Sequence, residues 1–234
     1  MDKTHRGKVT FIYHCGFSIE LNDCSMLFDY WQGNIPEFDA NKPLYVFSSH
    51  NHGDHFNPVV FKLREKYKDI VYILADDIQA KDAGDIVWVR ENSTDQINGI
   101  KVRTFHSTDA GVAFYIQLKD LCLMHLGDLN WWHWEGESDA FNNAQKTDYQ
   151  KEIDKMKDLN IDIAFGPALD KRLKPNHWWG IDYFLSHTKA KKVFPMHFFK
   201  DMDTCRELLS MKEMQRYEDR IVSVDELNQV FYID

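Results

Sequence analysis

Short apolar runs separated by turn residues dominate the first half of the chain. Residues 8–14 (Lys-Val-Thr-Phe-Ile-Tyr-His), 17–21 and 25–30 read as three strands, broken at Cys15-Gly16 and Asn22-Asp23 like an antiparallel meander. Residues 44–47 (Leu-Tyr-Val-Phe) have the length and residue types of a buried strand. Asn57-Pro58 marks a helix start, with Asn as N-cap and Pro in the first turn. The pattern predicts a helix over 58–68 with Val59, Leu63 and Tyr67 on one face. Apolar runs at 70–75 and 86–90 bracket 76–85 as strand, short helix, strand. Beyond a turn at Asn98-Gly99, residues 100–105 alternate as a strand, and strands follow over 112–118 and 121–126. The remainder predicts an amphipathic helix over 146–159, with Ile153, Met156 and Leu159 toward the core. After it come a buried strand at 161–167, a helix at 178–185, a strand at 192–197, a helix at 202–212 and a strand at 229–233.

Two runs of strands, each punctuated by helices, fit an α/β (α+β) fold: a four-layer sandwich of helix, sheet, sheet and helix. No linker or low-complexity tract interrupts the chain, so residues 1–234 are expected to form a single domain. The 44% of apolar residues is ample for such a core.

Directly after the strand at 44–47 stands Ser48-Ser49-His50-Asn51-His52-Gly53-Asp54-His55. In extended chain alternate residues face the same way, so His50 and His52 can converge on one point. Gly53 is expected to permit a sharp turn, after which Asp54 and His55 can aim at a second point nearby. Neutral imidazole is the commonest metal ligand, and a carboxylate adds the charge a divalent cation favours. Three further candidates, His106, Asp128 and His197, each end a predicted strand, where loops build sites. Asp29, set in Phe28-Asp29-Tyr30-Trp31, needs a partner because an unpaired buried charge is costly. Support of the histidine loop and a local turn role both satisfy that need.

The order His-x-His-x-Asp-His, then His106 in Phe-His-Ser-Thr-Asp, Asp128 in Leu-Gly-Asp-Leu-Asn and His197 in Pro-Met-His-Phe-Phe resembles the metallo-beta-lactamase superfamily. Tyr-His-Cys-Gly-Phe-Ser-Ile, His-Ser-Thr-Asp and Gly-Pro-Ala-Leu-Asp-Lys-Arg are similar to its subgroup of L-ascorbate-6-phosphate lactonase-like, metal-dependent hydrolases. The resemblance implies a single αββα domain and a binuclear metal site. His50, His52 and His106 would hold one ion, Asp54, His55 and His197 the other, with Asp128 bridging and Asp29 supporting the loop from behind. It implies two divalent ions, zinc ahead of manganese or iron, about 3.5–4 Å apart, sharing a water whose pKa falls from about 16 toward about 7. The hydroxide so formed would attack a small ester, lactone or phosphorylated substrate, with Asp54 and Asp128 as the catalytic carboxylates. A phosphodiesterase or nuclease on the same scaffold is the alternative, and a metal-stabilised binding protein without turnover is a third reading. The leaving-group acid stays open among His14, His133, His177 and a water.

Charge and cysteine usage narrow the partners. A net charge of −9 argues against a nucleic-acid surface built on phosphate neutralisation. Cys15, Cys24, Cys122 and Cys205 are dispersed and read as free thiols of a reducing compartment. Residues 1–6 lead into a strand without a leader-like apolar region, and no run is apolar enough to span a membrane. A cytoplasmic enzyme of a small-molecule substrate, as monomer or homo-oligomer, is expected. Trp131, Trp132, Trp134, Trp178 and Trp179 flank Asp128 and the segment before His197. They are candidates either for a pocket wall or for pinning irregular loops or a subunit contact. Trp131, Trp132, Trp178 and Arg172 are the candidate substrate contacts; for Lys171 and Arg172, an anion site and plain solvated surface remain open.

Overall fold

A computed structural model describes residues 6–81 and 83–233. Residues 1–5, on which the reading of the N-terminus rests, lie outside the described residues. The chain divides into two compact units, Met1–Val89 with Glu226–Asp234, and Arg90–Asp225.

The first unit opens with the expected meander. Strands β1 (Gly7–Tyr13), β2 (Gly16–Leu21) and β3 (Ser25–Phe28) pair antiparallel in sequence. Parallel pairs then add β4 (Leu44–Ser48), β5 (Ile70–Ala75) and β6 (Ile86–Val89). Parallel strands covered on both faces need continuous apolar runs, and all six residues of β5, Ile-Val-Tyr-Ile-Leu-Ala, are buried. Phe28 pairs with Phe47, and the Asp29 N–H donates to the Phe47 carbonyl at 3.0 Å. Strands β3 and β4 therefore end together, with Asp29 beside the start of the histidine loop.

Two connections differ from expectation. The segment after Asn57 is a 3₁₀ run over Pro58–Glu65 rather than an α-helix through 68, although Asn57 Oδ1 does accept the Val59 N–H at 3.0 Å. Its buried contacts are Val60 and, beyond its end, Tyr67, whereas Val59 is 38% exposed. Between β5 and β6 the expected short helix is absent among the described residues, and a turn from Ala75 to Ile78 stands there instead. Ile78 is its one large apolar residue, too little to fasten a helical face when a short helix is marginal by itself.

The second unit begins with β7 (Thr94–Ile97) and β8 (Ile100–His106), joined through Asn98-Gly99, both at positive φ as a tight hairpin requires. Strand β7 escaped the pattern because Ile97 is its single buried residue. Strands β9 (Val112–Gln117) and β10 (Cys122–His125) continue antiparallel. Helix α1 (Asp139–Asp154) starts well before residue 146 because Ser138 caps it, its Oγ accepting the Phe141 N–H at 3.2 Å. Ile153 and Met156 are buried as expected; Leu159 is only half-buried and lies beyond the helix. Strand β11 (Ile163–Ala168) lies parallel to β10, followed by α2 (Trp179–His187), β12 (Lys192–Met196) parallel to β11, and α3 (Thr204–Ser210). The Tyr149 hydroxyl of α1 donates to the Gly180 carbonyl of α2 at 2.7 Å.

The chain returns to the first unit with β13 (Val230–Ile233), antiparallel to β1. The sheets run β13-β1-β2-β3-β4-β5-β6 and β12-β11-β10-β9-β8-β7. No helix among the described residues is long and apolar enough to cross a membrane. Burial pushes the Cys24 and Cys205 thiols up to about 12, so neither is a ready thiolate.

Candidate metal centre

In the first unit the histidine loop is held from behind by Asp29, fully buried and in the left-handed region at φ 39°. Its carboxylate accepts the Ser49 N–H at 2.7 Å, the Ser49 hydroxyl at 2.6 Å and His55 Nδ1 at 2.8 Å. The Ser49 hydroxyl has one proton, directed to Asp29, so toward His50 Nδ1 at 3.0 Å it acts as acceptor. Nδ1 of both His50 and His55 is thereby the protonated nitrogen, and Nε2 carries the lone pair. Metal-binding histidines are oriented this way, with the far ring nitrogen donating to a carboxylate or its relay.

The ring nitrogens His50 Nε2 and His52 Nδ1 lie 3.1 Å apart. Two nitrogens each about 2.0–2.1 Å from a tetrahedral ion would be separated by about 3.3 Å. The donor set therefore fits a divalent cation. A turn closes the loop, the N–H groups of His55 and Phe56 both reaching the His52 carbonyl at 3.0 Å. Gly53 is not what permits it: its φ is not positive, and a Cβ there would meet nothing within 4 Å.

Asp54 faces His14, Oδ2 to Nε2 at 3.5 Å. Hydrogen bonding from His14, with the nearby His55, holds the Asp54 carboxyl well below the usual range against the burial that would raise it. His14 itself is fully buried at φ 57°, just past β1. His14, Cys15 and His55 each offer a ligand atom within 4.8 Å of the others, so the residues after β1 belong to this cluster more firmly than the sequence indicated.

In the second unit Asp128 and His197 come together. Asp128 is buried in the turn after β10, and its Oδ1 lies 3.6 Å from His197 Nε2. The Trp132 indole N–H donates to the Asp128 carbonyl at 2.9 Å, and the Trp132 ring stands edge-on to His197, centroids 5.4 Å apart. His197, at φ 67° just past β12, turns Nδ1 to Asp170 Oδ2 at 3.2 Å. Burial alone would raise the Asp170 pKa; hydrogen bonds from His197 and Arg172 outweigh it and hold the carboxyl well below its usual range. Asp170 thus faces His197 as Asp29 faces His55, but as an ion-pair contact at 3.2 Å rather than a 2.8 Å hydrogen bond. The sequence reading missed it, although it stands in the segment Gly-Pro-Ala-Leu-Asp-Lys-Arg already singled out.

The remaining expected ligand, His106, is not in that group. Its ring is 44% exposed, with Nδ1 on Glu91 Oε2 at 2.5 Å. Asp109, three residues on, offers a carboxylate oxygen within 4.8 Å of one from Asp128.

The tryptophans divide into two sets. Trp132 stacks on Trp134 at 5.9 Å, interplanar angle 4°, against the buried Ala168 and Leu173, which is a scaffold role. Trp131, Trp178 and Trp179 instead line a cavity of about 450 Å³ with His133, Tyr183 and Lys146. Arg172 grips Asp170 with Nε at 2.9 Å and lies over the Trp134 and Phe199 rings, while Lys171 pairs with Asp201 and Glu207. Each cation is thus engaged by a protein carboxylate.

Comparison with known proteins gives three findings. The family model described as the beta-lactamase superfamily domain matches residues 8–143. A metal-dependent hydrolase of Cereibacter sphaeroides is 28% identical over 110 residues, 43% of this chain and 48% of the relative. The chain thus matches about half the length of its curated relatives. Among solved structures, Igni18, a metallo hydrolase from Ignicoccus hospitalis, superposes with TM-score 0.64 at 12% identity, covering 97% of this chain and 98% of that one. The metallo-beta-lactamase fold protein YhfI from Bacillus subtilis gives 0.61 at 13%, covering 98% and 100%. The likeness shows the fold, the α/β sandwich class expected from the pattern.

Proposed function

Because the chain belongs to the beta-lactamase superfamily, we propose that it is a metal-dependent hydrolase of a small ester, lactone or phosphorylated substrate. The proposed ligands are His50, His52, Asp54 and His55 from the first unit and Asp128 and His197 from the second, with one more from the loop that begins at His106. Two divalent ions are the proposed cofactors, zinc first and manganese or iron next, and residues 1–234 are proposed to form a single domain. A bound cation of this kind supplies a Lewis acid and brings water within reach of deprotonation near neutral pH.

The chain's own residues do the rest. Asp54, kept ionised beside His14, accepts a hydrogen bond from the attacking water and orients it toward the substrate. Asp128 would be the carboxylate that holds the metal beside His197. Asp29 and Asp170 fix the rings of His55 and His197, so that neither reorients during a turnover. Trp131 and Trp178 offer an apolar wall for the substrate body, and a cavity of about 450 Å³ suits a small molecule. Trp132 and Arg172 act through Asp128 and Asp170.

The observation that carries this reading is the His50–His52 nitrogen pair at 3.1 Å, with His50 Nδ1 already engaged behind it. The test is a hydrolysis screen of metal-reconstituted protein across lactones, esters, thioesters, phosphodiesters and phosphorylated sugars. Turnover of a lactone or ester above that of bis-p-nitrophenyl phosphate is expected. The reverse order moves the substrate to phosphodiesters. Full metal occupancy without turnover anywhere on the panel overturns the enzyme reading in favour of a metal-stabilised binding protein.

A further inference from the structure

The ligand contributed by the loop after β8 was expected at His106. We propose that it is Asp109, and that His106 lies outside the metal centre; this rests on the proposed metal site and goes on to reassign one of its members.

Strand register decides what the loop can present. His106 is the last paired residue of β8, opposite Val112 of β9. Along β8 the side chains of Val102, Thr104 and Phe105 are buried, while that of His106 emerges and meets Glu91, itself 53% exposed. The five residues 107–111 then span the strand pair beyond the last rung, closing at Gly111 with φ 63°. Asp109 is at the middle of that span.

Its neighbour Thr108 is fixed to the Asp128 segment. The Thr108 hydroxyl donates to the Asn130 carbonyl at 2.7 Å, lies 3.3 Å from the Asp128 carbonyl, and accepts the Asn130 N–H at 2.9 Å. Gln145 of α1 holds the Thr108 carbonyl at 3.2 Å. Thr108 is buried and carries the loop against residues 128–130, so the next side chain, Asp109, is delivered to Asp128. The two carboxylates offer oxygens within 4.8 Å of each other, a separation at which like charges repel and a shared cation relieves the repulsion. His197 Nε2 lies 3.6 Å from Asp128 Oδ1, so the carboxylate that meets Asp109 also meets an imidazole.

Chemical selectivity follows from the exchange. An imidazole replaced by a carboxylate makes the donor set harder and more negative, and shifts it from zinc toward manganese or ferrous iron.

The test is metal titration of chelator-stripped full-length protein by calorimetry and elemental analysis, using Zn²⁺ and Mn²⁺ as probes. The proteins are the parent, Asp109→Asn, His106→Gln and, as a control on the site itself, His50→Gln. The cobalt(II) electronic spectrum of each serves as a second readout that depends on the coordination shell and not on turnover. Asp109→Asn is expected to weaken one metal equivalent by at least about tenfold, the size that even loss of an outer partner brings, and to alter the cobalt spectrum. His106→Gln is expected to stay within about twofold and to keep the parent spectrum. Asp109 is exposed, so the variant should fold, and Asp109→Ala repeats the test if it does not. Weakened binding in His106→Gln with parent-like binding in Asp109→Asn overturns the assignment. So does parent-like binding in both while His50→Gln loses metal, in which case the site stands and Asp109 is not part of it. A parent protein that holds less than one equivalent overturns the site and the assignment together.

Discussion

Asp29 shows most clearly how single residues build this centre. One buried carboxylate accepts a backbone N–H, a hydroxyl and an imidazole N–H, and through them sets the protonated nitrogen of His55 and, by way of Ser49, of His50. Asp29→Asn keeps the shape but replaces one acceptor oxygen with a donor. It should weaken metal binding by about 10–100-fold, read by competition with a chromophoric chelator. A change under twofold in a folded variant would remove Asp29 from the centre. At this scale the sequence revealed the histidines and one support, Asp29, but neither Asp170 nor Asp109. Three imidazoles in six positions have no ordinary structural reason to occur, whereas Asp170 and Asp109 are aspartates in loops, where turns and solvent account for most of their kind. Gly53 misled in the opposite direction, since nothing in its backbone or surroundings requires a glycine.

Elements were legible where burial is complete. The parallel strands β4 and β5 announced themselves as unbroken apolar runs, and both end at the edge that carries the histidine loop. Strand β7, with one buried residue, and the turn after β5, with one large apolar residue, hold their shape through neighbours that no local pattern contains. Asp162 makes such a dependence measurable. Its carboxylate accepts the Cys122 N–H of β10 at 2.8 Å and the Lys191 ammonium at 2.6 Å, tying the starts of β10, β11 and β12. Burial alone would raise its pKa; Lys191 and the Cys122 N–H outweigh that and lower it. A carboxyl whose folded pKa is depressed contributes stability above its unfolded pKa of about 3.9, and that contribution is lost as pH falls through the lower folded value. Asp162→Asn should therefore cost about 1–2 kcal/mol at pH 7 by urea denaturation. The gap from the parent should close as the pH is taken below about 4. A gap that is the same at pH 7 and pH 3 would show that the charge plays no part.

For the whole molecule, the overall fold class followed from the alternation of strand and helix patterns, while the division into two compact units did not, because no linker marks it. A cation held by the proposed ligands binds the folded state, so metal binding should couple to global stability. At a free metal concentration of 100 times Kd, stabilisation of about 2.7 kcal/mol is expected. For a chain of this size that is a rise in Tm of about 5–10 °C over chelator-treated protein. An unchanged Tm under metal saturation would mean that the cation is not held by the folded state as proposed.

Hydrolysis by this chain is proposed to depend on metal held by these residues. Hydrolysis of the best panel substrate by chelator-stripped protein, followed against equivalents of added zinc or manganese, measures that dependence. Negligible turnover without metal is expected, with a rise that levels off at two equivalents per chain. Turnover by the stripped protein equal to that of the reconstituted one would contradict it.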